Sequence, residues 1–422
     1  MPAVDSEPAR SQPDLRIEIS IGAEGTKTTF VDTARRRRFT FQGKLTSDQL
    51  SGRHKEVKQG FTRLKNTLWT KDGPAEEKLA KAIGVMYRAG QLLLEDVAGD
   101  LVALRQFLSV FRKGLPEDEP PVVYVQQSAQ RILPVELWPL WNLEEPVIRL
   151  KPLPAFRKDL ETAARGFLGF SAIVVHEFVN QALQEGGALW RGGEIPVRKF
   201  RYAALRGVAQ ELEIFRPPVF RSGPEAWPAS EADRSSDFFE ILWDRERAHR
   251  VHHFCCHYEC RETRHDSKLR LSCDKTHELP ISLEEIQVAF NNFRLKKRGQ
   301  REGTLPLLFL NACDSANMNP ASLGHLPLLM LGSGFGGVVG TYCGVPSLFA
   351  QAFARRFYGT FVNGVPLGKA LLKTRQDSLF EGFNPLGILY TAYADPYLHI
   401  IPEQEPKPWQ ETLGKRKKRR GA

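Results

Sequence analysis

The segment Leu305–Ser315, LPLLFLNACDS, decides the predicted fold of this chain. Its unbroken apolar run, Leu307–Leu310, has the length and composition of a strand buried on both faces, which is typical of a parallel sheet. Cys313 follows this run, and open α/β sheets place their reacting groups at the carboxyl ends of such strands. We therefore predict an α/β protein with a mostly parallel sheet flanked by helices and with Cys313 at the sheet edge.

A second buried strand is predicted upstream, in His249–Cys256 (HRVHHFCC), and it ends at His257, 56 residues before Cys313. If a crossover joins the two strands as parallel neighbours, the imidazole and the thiol face each other. A thiol needs a base to form a thiolate at neutral pH, and an imidazole commonly supplies it. We predict a catalytic dyad of His257 and Cys313, and we expect His252 and His253 to be packing or surface residues.

The composition is that of an ordinary globular protein, with 42% hydrophobic and 26% charged residues among 422. This length predicts about two to three domains. No apolar run is long enough to cross a membrane, and no basic-then-apolar leader is present, so we expect no membrane partner and a cytoplasmic location. Six cysteines in so long a chain do not make a disulfide scaffold, which fits a reducing compartment.

Much of the net charge of +10 lies in two basic blocks, Arg35–Arg38 and Lys415–Arg420. Such blocks bind nucleic acid or acidic partners by releasing counterions. They are more typical of a solvated loop and a disordered tail, and no duplex-reading zinc finger, RNA-recognition motif or helix-turn-helix signature accompanies them. Nucleic-acid binding therefore stays an alternative that concerns mainly the basic tail.

The segment Asp237–Ile400 resembles the CHAT domain, a family of caspase-like peptidases of the separase type. Val251–His257 and Leu307–Ala316 (LLFLNACDSA) are similar to its two catalytic segments, and about 50 residues separate His from Cys in the caspase pattern. Further matching elements are Leu269–Leu271, Ile281–Ile286, Gly332–Gly340, Val345-Pro346, Phe353–Tyr358, Gly364–Leu367, Ala370-Leu371, Asn384-Pro385 and, earlier in the chain, Leu133–Leu137.

The resemblance implies a cysteine endopeptidase with no cofactor. Cys313 would be the nucleophile, His257 the base, and the backbone N–H groups of Cys313 and Tyr258 would bind the oxyanion. The substrate would be a protein. The resemblance also suggests activation by a protein partner in a prokaryotic antiviral defence or cell-death pathway.

The resemblance also organises the chain into regions. We expect a caspase-like sheet in the second half and an accessory or degenerate caspase-like half before it. The expected regions are a disordered N-terminus (1–14), an N-terminal accessory region (15–160), the peptidase domain (161–405) and the basic tail (406–422).

One departure from the family pattern concerns Tyr258, because the family usually has glycine after the catalytic histidine. The backbone N–H survives this change, but the loop must accommodate a bulky side chain. The alternative function is therefore a catalytically dead scaffold or interaction module with the same fold. Asn311 and Asp314 are candidates for the substrate pocket, although a turn-forming role explains Asp314 equally well.

A zinc site is a further alternative in the same region. Cys256, Cys260, Cys273 and His277 are spaced nearly as zinc ligands are. The same spacing arises by chance where small core cysteines occupy a strand.

The intervening segments carry three weaker predictions. The apolar spacing of Phe167–Leu183 predicts a helix, as does that of Phe200–Leu212. The Pro-, Ser- and charge-rich segment 217–236 predicts a long surface loop. We hypothesise that activation is controlled at this loop.

Overall fold

The first sheet of the molecule is built from the N-terminal part of the chain. The computed structural model describes residues 12–69, 75–116, 119–128, 132–144, 146, 148, 153–179, 188–191, 195, 197–201, 211–215, 220, 225–243, 250–259, 265–274, 276–296, 306–311 and 320–401. Five strands are paired in the order β3-β2-β1-β4-β5. Their bounds are β1 Leu15–Ile21, β2 Thr26–Asp32, β3 Arg37–Gly43, β4 Val122–Gln127 and β5 Ile173–Phe178.

The two halves of this sheet differ in direction. β1, β2 and β3 are antiparallel, whereas β1, β4 and β5 are parallel. Alternating burial along β1 agrees with the apolar–polar alternation of its sequence. β5 lies beyond residue 160, so the first sheet extends past the boundary expected there.

The second sheet carries the segment that decided the predicted fold. Its order is β15-β14-β13-β9-β7-β8, and all its pairs are parallel except β14 with β15. The strands are β7 Val197–Arg201, β8 Glu225–Trp227, β9 Val251–Cys255, β13 Leu307–Leu310, β14 Gly337–Thr341 and β15 Tyr390–Ala394. The predicted α/β class with a mostly parallel sheet flanked by helices is confirmed.

Two small sheets complete the strand inventory of the described residues. An antiparallel sheet follows β9 directly and contains β10 His257–Glu259, β11 Lys268–Ser272 and β12 Glu278–Ser282. The parallel pair consists of β6 Ala188–Arg191 and β16 His399–Ile401.

Helices cover the sheets. They are α1 Ser47–Trp69, α2 Ala75–Ala98, α3 Leu101–Arg112, α4 Leu153–Gly166, α5 Leu168–Ser171, α6 Ser235–Trp243, α7 Leu283–Lys296, α8 Pro320–Gly332, α9 Ser347–Phe361 and α10 Leu367–Phe380. The apolar face of α2 is buried. A capping box opens α7, since the Glu285 backbone N–H donates to Ser282 Oγ and the Ser282 backbone N–H donates to the Glu285 carboxylate. Within the described residues, no helix combines the length and the apolar character that a membrane span requires.

The two main sheets meet where β5 lies beside β15. The ring of Tyr393 on β15 stacks on Phe178 of β5 at 5.2 Å between centroids and lies 5.5 Å from the His176 ring. The two halves of the chain therefore share a buried joint.

One predicted helix is wrong, and one predicted loop is wrong in part. Phe167–Leu183 is not one helix, because only the short α5 is helical and the β-branched run Ile173–Val175 opens the buried strand β5. The helix predicted over Phe200–Leu212 stays a prediction, because residues 202–210 lie outside the described part; its first two residues belong to strand β7 and Glu211 is helical. Segment 217–236 is not all loop, since β8 pairs with β7 and Trp227 is buried.

Candidate active site

Strands β9 and β13 are parallel neighbours at the centre of the second sheet. Their register pairs Val251 with Leu307 and Phe254 with Leu310. The pairing continues past β13, because the backbone N–H of Asn311 donates to the carbonyl oxygen of Phe254 at 2.8 Å. The carboxyl ends of the two predicted strands therefore reach the same edge of the sheet.

His257 follows β9 after one residue and opens strand β10, where it is half-buried. Its backbone pairs with that of Arg270 in β11. The Arg270 guanidinium forms ion pairs with Glu259 of β10 and Glu278 of β12. The hairpin that carries the histidine is thus tied together across all three of its strands.

The predicted partner of His257, Cys313, lies outside the described residues, and so does Asp314. The catalytic dyad of His257 and Cys313 therefore stays a prediction. Tyr258 is described: its side chain is 6% exposed and belongs to the hydrophobic core. The bulky side chain that replaces the usual glycine is accommodated by packing inward, and its backbone pairs with Leu269.

Asn311, one of the two candidates for the substrate pocket, is fully buried just after β13. Its amide nitrogen donates to Glu211 Oε1 at 2.6 Å and to the Ala350 carbonyl at 2.9 Å. Its amide oxygen accepts a hydrogen bond from the Tyr390 hydroxyl at 2.5 Å. These contacts fix the backbone two residues before Cys313, and a role in substrate binding stays a prediction.

Glu211, which carried no signal in the sequence, connects the two central strands. Its second carboxylate oxygen accepts from His253 Nε2 on β9 at 2.9 Å, and the Tyr358 hydroxyl donates to His253 Nδ1 at 3.0 Å. Burial lowers the pKa of His253 despite its hydrogen bond to Glu211. The imidazole is therefore neutral, with its proton on Nε2, as these partners require. His253 is buried as a packing residue would be, but it also bridges polar groups.

Within the described part of the chain, one group of three side chains has the composition of a metal site. The ligand atoms of Glu211, His253 and Cys255 lie within 4.8 Å of one another, and all three residues are buried. The Cys255 thiol instead donates to the Phe200 carbonyl at 3.3 Å, and burial raises the pKa of this thiol well above its ordinary value. The buried Lys199 places a positive charge close to His253 and Cys255, which disfavours a second cation there.

The zinc alternative of the sequence rests on four residues, of which Cys260 is outside the described part. Cys256 is buried after β9, whereas Cys273 and His277 flank the turn between β11 and β12 and are partly exposed. These three described residues do not gather into a group of converging ligand atoms. The alternative stays a prediction without support from the residues that are described.

A CHAT domain family model matches residues 170–383, which are 214 of the 422 residues. The chain belongs to the CHAT domain family. The matched span of this CHAT domain protein contains β9, β13, the hairpin of His257 and helices α9 and α10. It begins before β5 and ends before β15.

One curated relative and two solved structures resemble this CHAT domain protein over part of their length or at low identity. A probable protease of Vitiosangium sp. (strain GDMCC 1.1324) is 32% identical over 100 residues, which cover 23% of the chain and 13% of that relative. The Arg-specific cysteine proteinase gingipain R matches with a TM-score of 0.42 and 7% identity, over 71% of this chain and 68% of its own. A chain of the Saccharomyces cerevisiae separase–securin complex matches with a TM-score of 0.43 and 10% identity. The match covers 92% of this chain and 30% of that chain. The low identities and TM-scores of the two solved structures say nothing about the activity of this chain.

The CHAT domain protein has a second buried polar cluster, at the joint between its two sheets. Glu136, in the Leu133–Leu137 element, accepts hydrogen bonds from Tyr342 at 2.6 Å and from Arg375 at 3.3 Å, and His176 Nε2 lies 3.2 Å away. Gln127 contacts the other nitrogen of His176 at 2.8 Å. The cluster thus joins β4, β5, α10 and the residue that follows β14, and no pattern in the sequence indicates that these side chains meet.

The charges around Glu136 decide the protonation state of its carboxyl group. Burial opposes ionisation of Glu136, but the charges of His176 and Arg375, with their hydrogen bonds, outweigh it and lower the pKa of Glu136 to about 2. Burial raises the pKa of the Tyr342 hydroxyl well above its ordinary value, so this group stays a donor. Arg375 also donates to the carbonyl oxygens of Gly169 and Tyr390, which ties α10 to both halves.

Proposed function

We propose that the chain is a cysteine endopeptidase that hydrolyses peptide bonds in proteins, with Cys313 as nucleophile and His257 as base. The observation that carries the proposal is the parallel pairing of β9 with β13, because it directs the ends of both strands to one sheet edge. Membership of the CHAT family and the similarity to a probable protease support the same reaction class.

In the proposed reaction, His257 removes the proton of the Cys313 thiol, and the thiolate attacks the carbonyl carbon of the scissile bond. The backbone N–H groups of Cys313 and Tyr258 donate to the oxygen that becomes negative. The imidazolium then protonates the leaving amine. Water, activated by the same imidazole, hydrolyses the thioester and restores the thiol.

Cys255 is the competing candidate for the nucleophile, since it lies close to both His253 and Glu211. It is fully buried, its thiol is engaged with a backbone carbonyl, and its pKa is raised rather than lowered. A reactive cysteine needs access and a depressed pKa. We therefore assign Cys255 a structural role.

We further propose that a protein partner controls the activity, in a prokaryotic antiviral defence or cell-death pathway. This part rests on the family resemblance alone. Control at segment 217–236 belongs to the same proposal, although the pairing of β8 with β7 ties part of that segment to the sheet.

The test compares the parent chain with Cys313→Ala and His257→Ala. The control variant is Cys343→Ala, because Cys343 is a buried cysteine with only 2% of its surface exposed. Each chain is alkylated with iodoacetamide at pH 6, and the modified cysteine is identified by mass spectrometry. We expect fast modification of Cys313 in the parent and the control, and slow modification in His257→Ala, because only a paired thiolate persists below the free thiol's pKa of about 8.5.

Cleavage of a proteome-derived peptide library is the second readout. We expect cleavage by the parent and by Cys343→Ala, and none by Cys313→Ala. Slow alkylation of Cys313 at pH 6 together with no cleavage by the parent, both alone and with host-cell lysate added as a source of the partner, would contradict the proposal. That result would favour the catalytically dead scaffold, for which the replacement of the usual glycine by Tyr258 is the motivating feature.

A further inference from the structure

A groove lies between helix α3 and the outer edge of strand β3, in the first sheet and away from the candidate active site. Its cavity has a volume of about 540 Å³. The lining residues used below are Arg37, Phe39, Thr40, Gln106, Phe107 and Val110. β3 is the end strand of its sheet, so within the described residues no further strand pairs with its outer side. An open strand edge of this kind offers backbone donors and acceptors to another chain.

The wall of the groove is apolar. The ring of Phe39, on β3, is 43% exposed and lies 4.7 Å from the ring of Phe107 on α3. Val110, one turn further along α3, is 45% exposed. An exposed aromatic and an exposed aliphatic side chain beside an open strand edge create a place for the apolar side chains of an added strand.

The charge at the start of β3 is strongly positive. Arg36, Arg37 and Arg38 are all exposed, and only Arg38 has an acidic partner, Glu18, among the ion pairs of the described residues. Arg35 is held by Asp32 at 2.7 Å. This is the arginine block that stood out in the sequence and that the proposed peptidase reaction does not use.

We propose that an extended segment of a partner protein pairs with the outer edge of β3. Its alternate side chains are apolar and enter the groove against Phe39 and Val110, and acidic side chains at one of its ends pair with Arg36 and Arg37. The seven residues of β3 accommodate a strand of about the same length. Main-chain hydrogen bonds provide affinity in this mode of binding, and the apolar groove and the arginines provide specificity. The proposal does not depend on peptidase activity.

The test selects phage-displayed random peptides of twelve residues on the immobilised full-length chain. Enriched peptides are synthesised with a fluorophore and titrated by anisotropy against the parent and three variants. Val110→Lys places a charge in the groove, and Arg37→Glu reverses the charge at its basic end. Val102→Lys is the matched control, because Val102 lies on the same helix, is 70% exposed and does not line the groove. The thermal unfolding midpoint of each variant verifies that it is folded.

We expect enriched peptides to alternate apolar residues and to carry Asp or Glu at one end. Their affinity should fall at least tenfold for Val110→Lys and for Arg37→Glu and stay unchanged for Val102→Lys. Replacing their acidic residues by lysine should restore binding to Arg37→Glu. Failure to enrich peptides over a blank surface would overturn the proposal, as would equal binding to all variants. A concentration-dependent dimer of the parent that Val110→Lys abolishes would assign the groove to a second copy instead, and would also overturn it.

Discussion

The buried pair of Glu136 and Arg375 makes a quantitative prediction about stability. Arg375→Met keeps the length of the side chain but removes its charge, which leaves the Glu136 carboxylate in the core with one cation fewer. Loss of one partner of a buried ion pair typically costs about 3–5 kcal/mol. Arg375 is 1% exposed, and its donations to Gly169 and Tyr390 are lost in addition. We therefore expect a loss toward the upper end of this range.

The pKa of Glu136 gives an estimate for the carboxylate with all its partners, among which His176 lowers this pKa most and Arg375 comes next. Its carboxyl ordinarily titrates at 4.5, and in the folded chain it titrates at about 2. This difference corresponds to about 3 kcal/mol of stabilisation. Because the folded-state pKa is the lower one, the stabilisation is complete above pH 4.5 and is lost as the pH falls toward about 2.

Urea unfolding at pH 7, and at intervals from pH 6 to 3, measures both effects. We expect Glu136→Gln to reduce stability at pH 7 and to flatten the acid dependence, and Arg375→Met with Glu136→Gln to lose less than the sum of the single changes. Arg355→Met, at an exposed position of α9, is the control and should stay within about 0.5 kcal/mol of the parent. A loss below about 1 kcal/mol for Arg375→Met, or an unchanged acid slope in Glu136→Gln, would refute the reasoning.

Three further predictions concern single sites. Ser282→Ala removes the cap of α7 and should cost about 0.5–2 kcal/mol in urea unfolding; no measurable change would mean that the capping box contributes nothing. Gly169→Ala should cost about 1–3 kcal/mol of stability, because a Cβ there would lie 2.7 Å from side-chain carbons of Glu136 and of Ile388. Gly332→Ala is the control, because the space around Gly332 is open and this change should not destabilise the protein. Equal effects of the two changes would contradict the prediction. Asn311→Asp should lower the thermal midpoint at pH 7 and lower it less at pH 4, because the new carboxylate would face Glu211; a loss independent of pH would argue against like-charge repulsion.

The central strands were predictable because burial on both faces leaves a continuous apolar run that no surface strand shows. Leu307–Leu310 and Val251–Cys255 both carry this signal, and both are buried throughout. β5 was mistaken for helix because the apolar run that contains it begins in α5, and the β-branched Ile173–Val175 was the signal that separates the two.

The polar partners of the central strands were not predictable from sequence. Glu211 and Tyr390 lie 100 and 79 residues from Asn311, and neither stands in a local pattern that marks a buried hydrogen-bond partner. Such pairs are selected by the way distant elements pack, which a single sequence does not display. The same holds for Arg375, whose carboxylate partner is 239 residues away.

The joint between the sheets limits where the chain can be divided. A fragment cut at residues 170 and 383 would omit β15, which covers one side of β14. It would also omit Glu136, leaving a guanidinium in an apolar interior without its counter-charge. We expect such a fragment to aggregate when expressed by itself, since a bare central strand invites intermolecular pairing. The span that the family model matches, residues 170–383, is therefore shorter than the span that we expect to fold by itself.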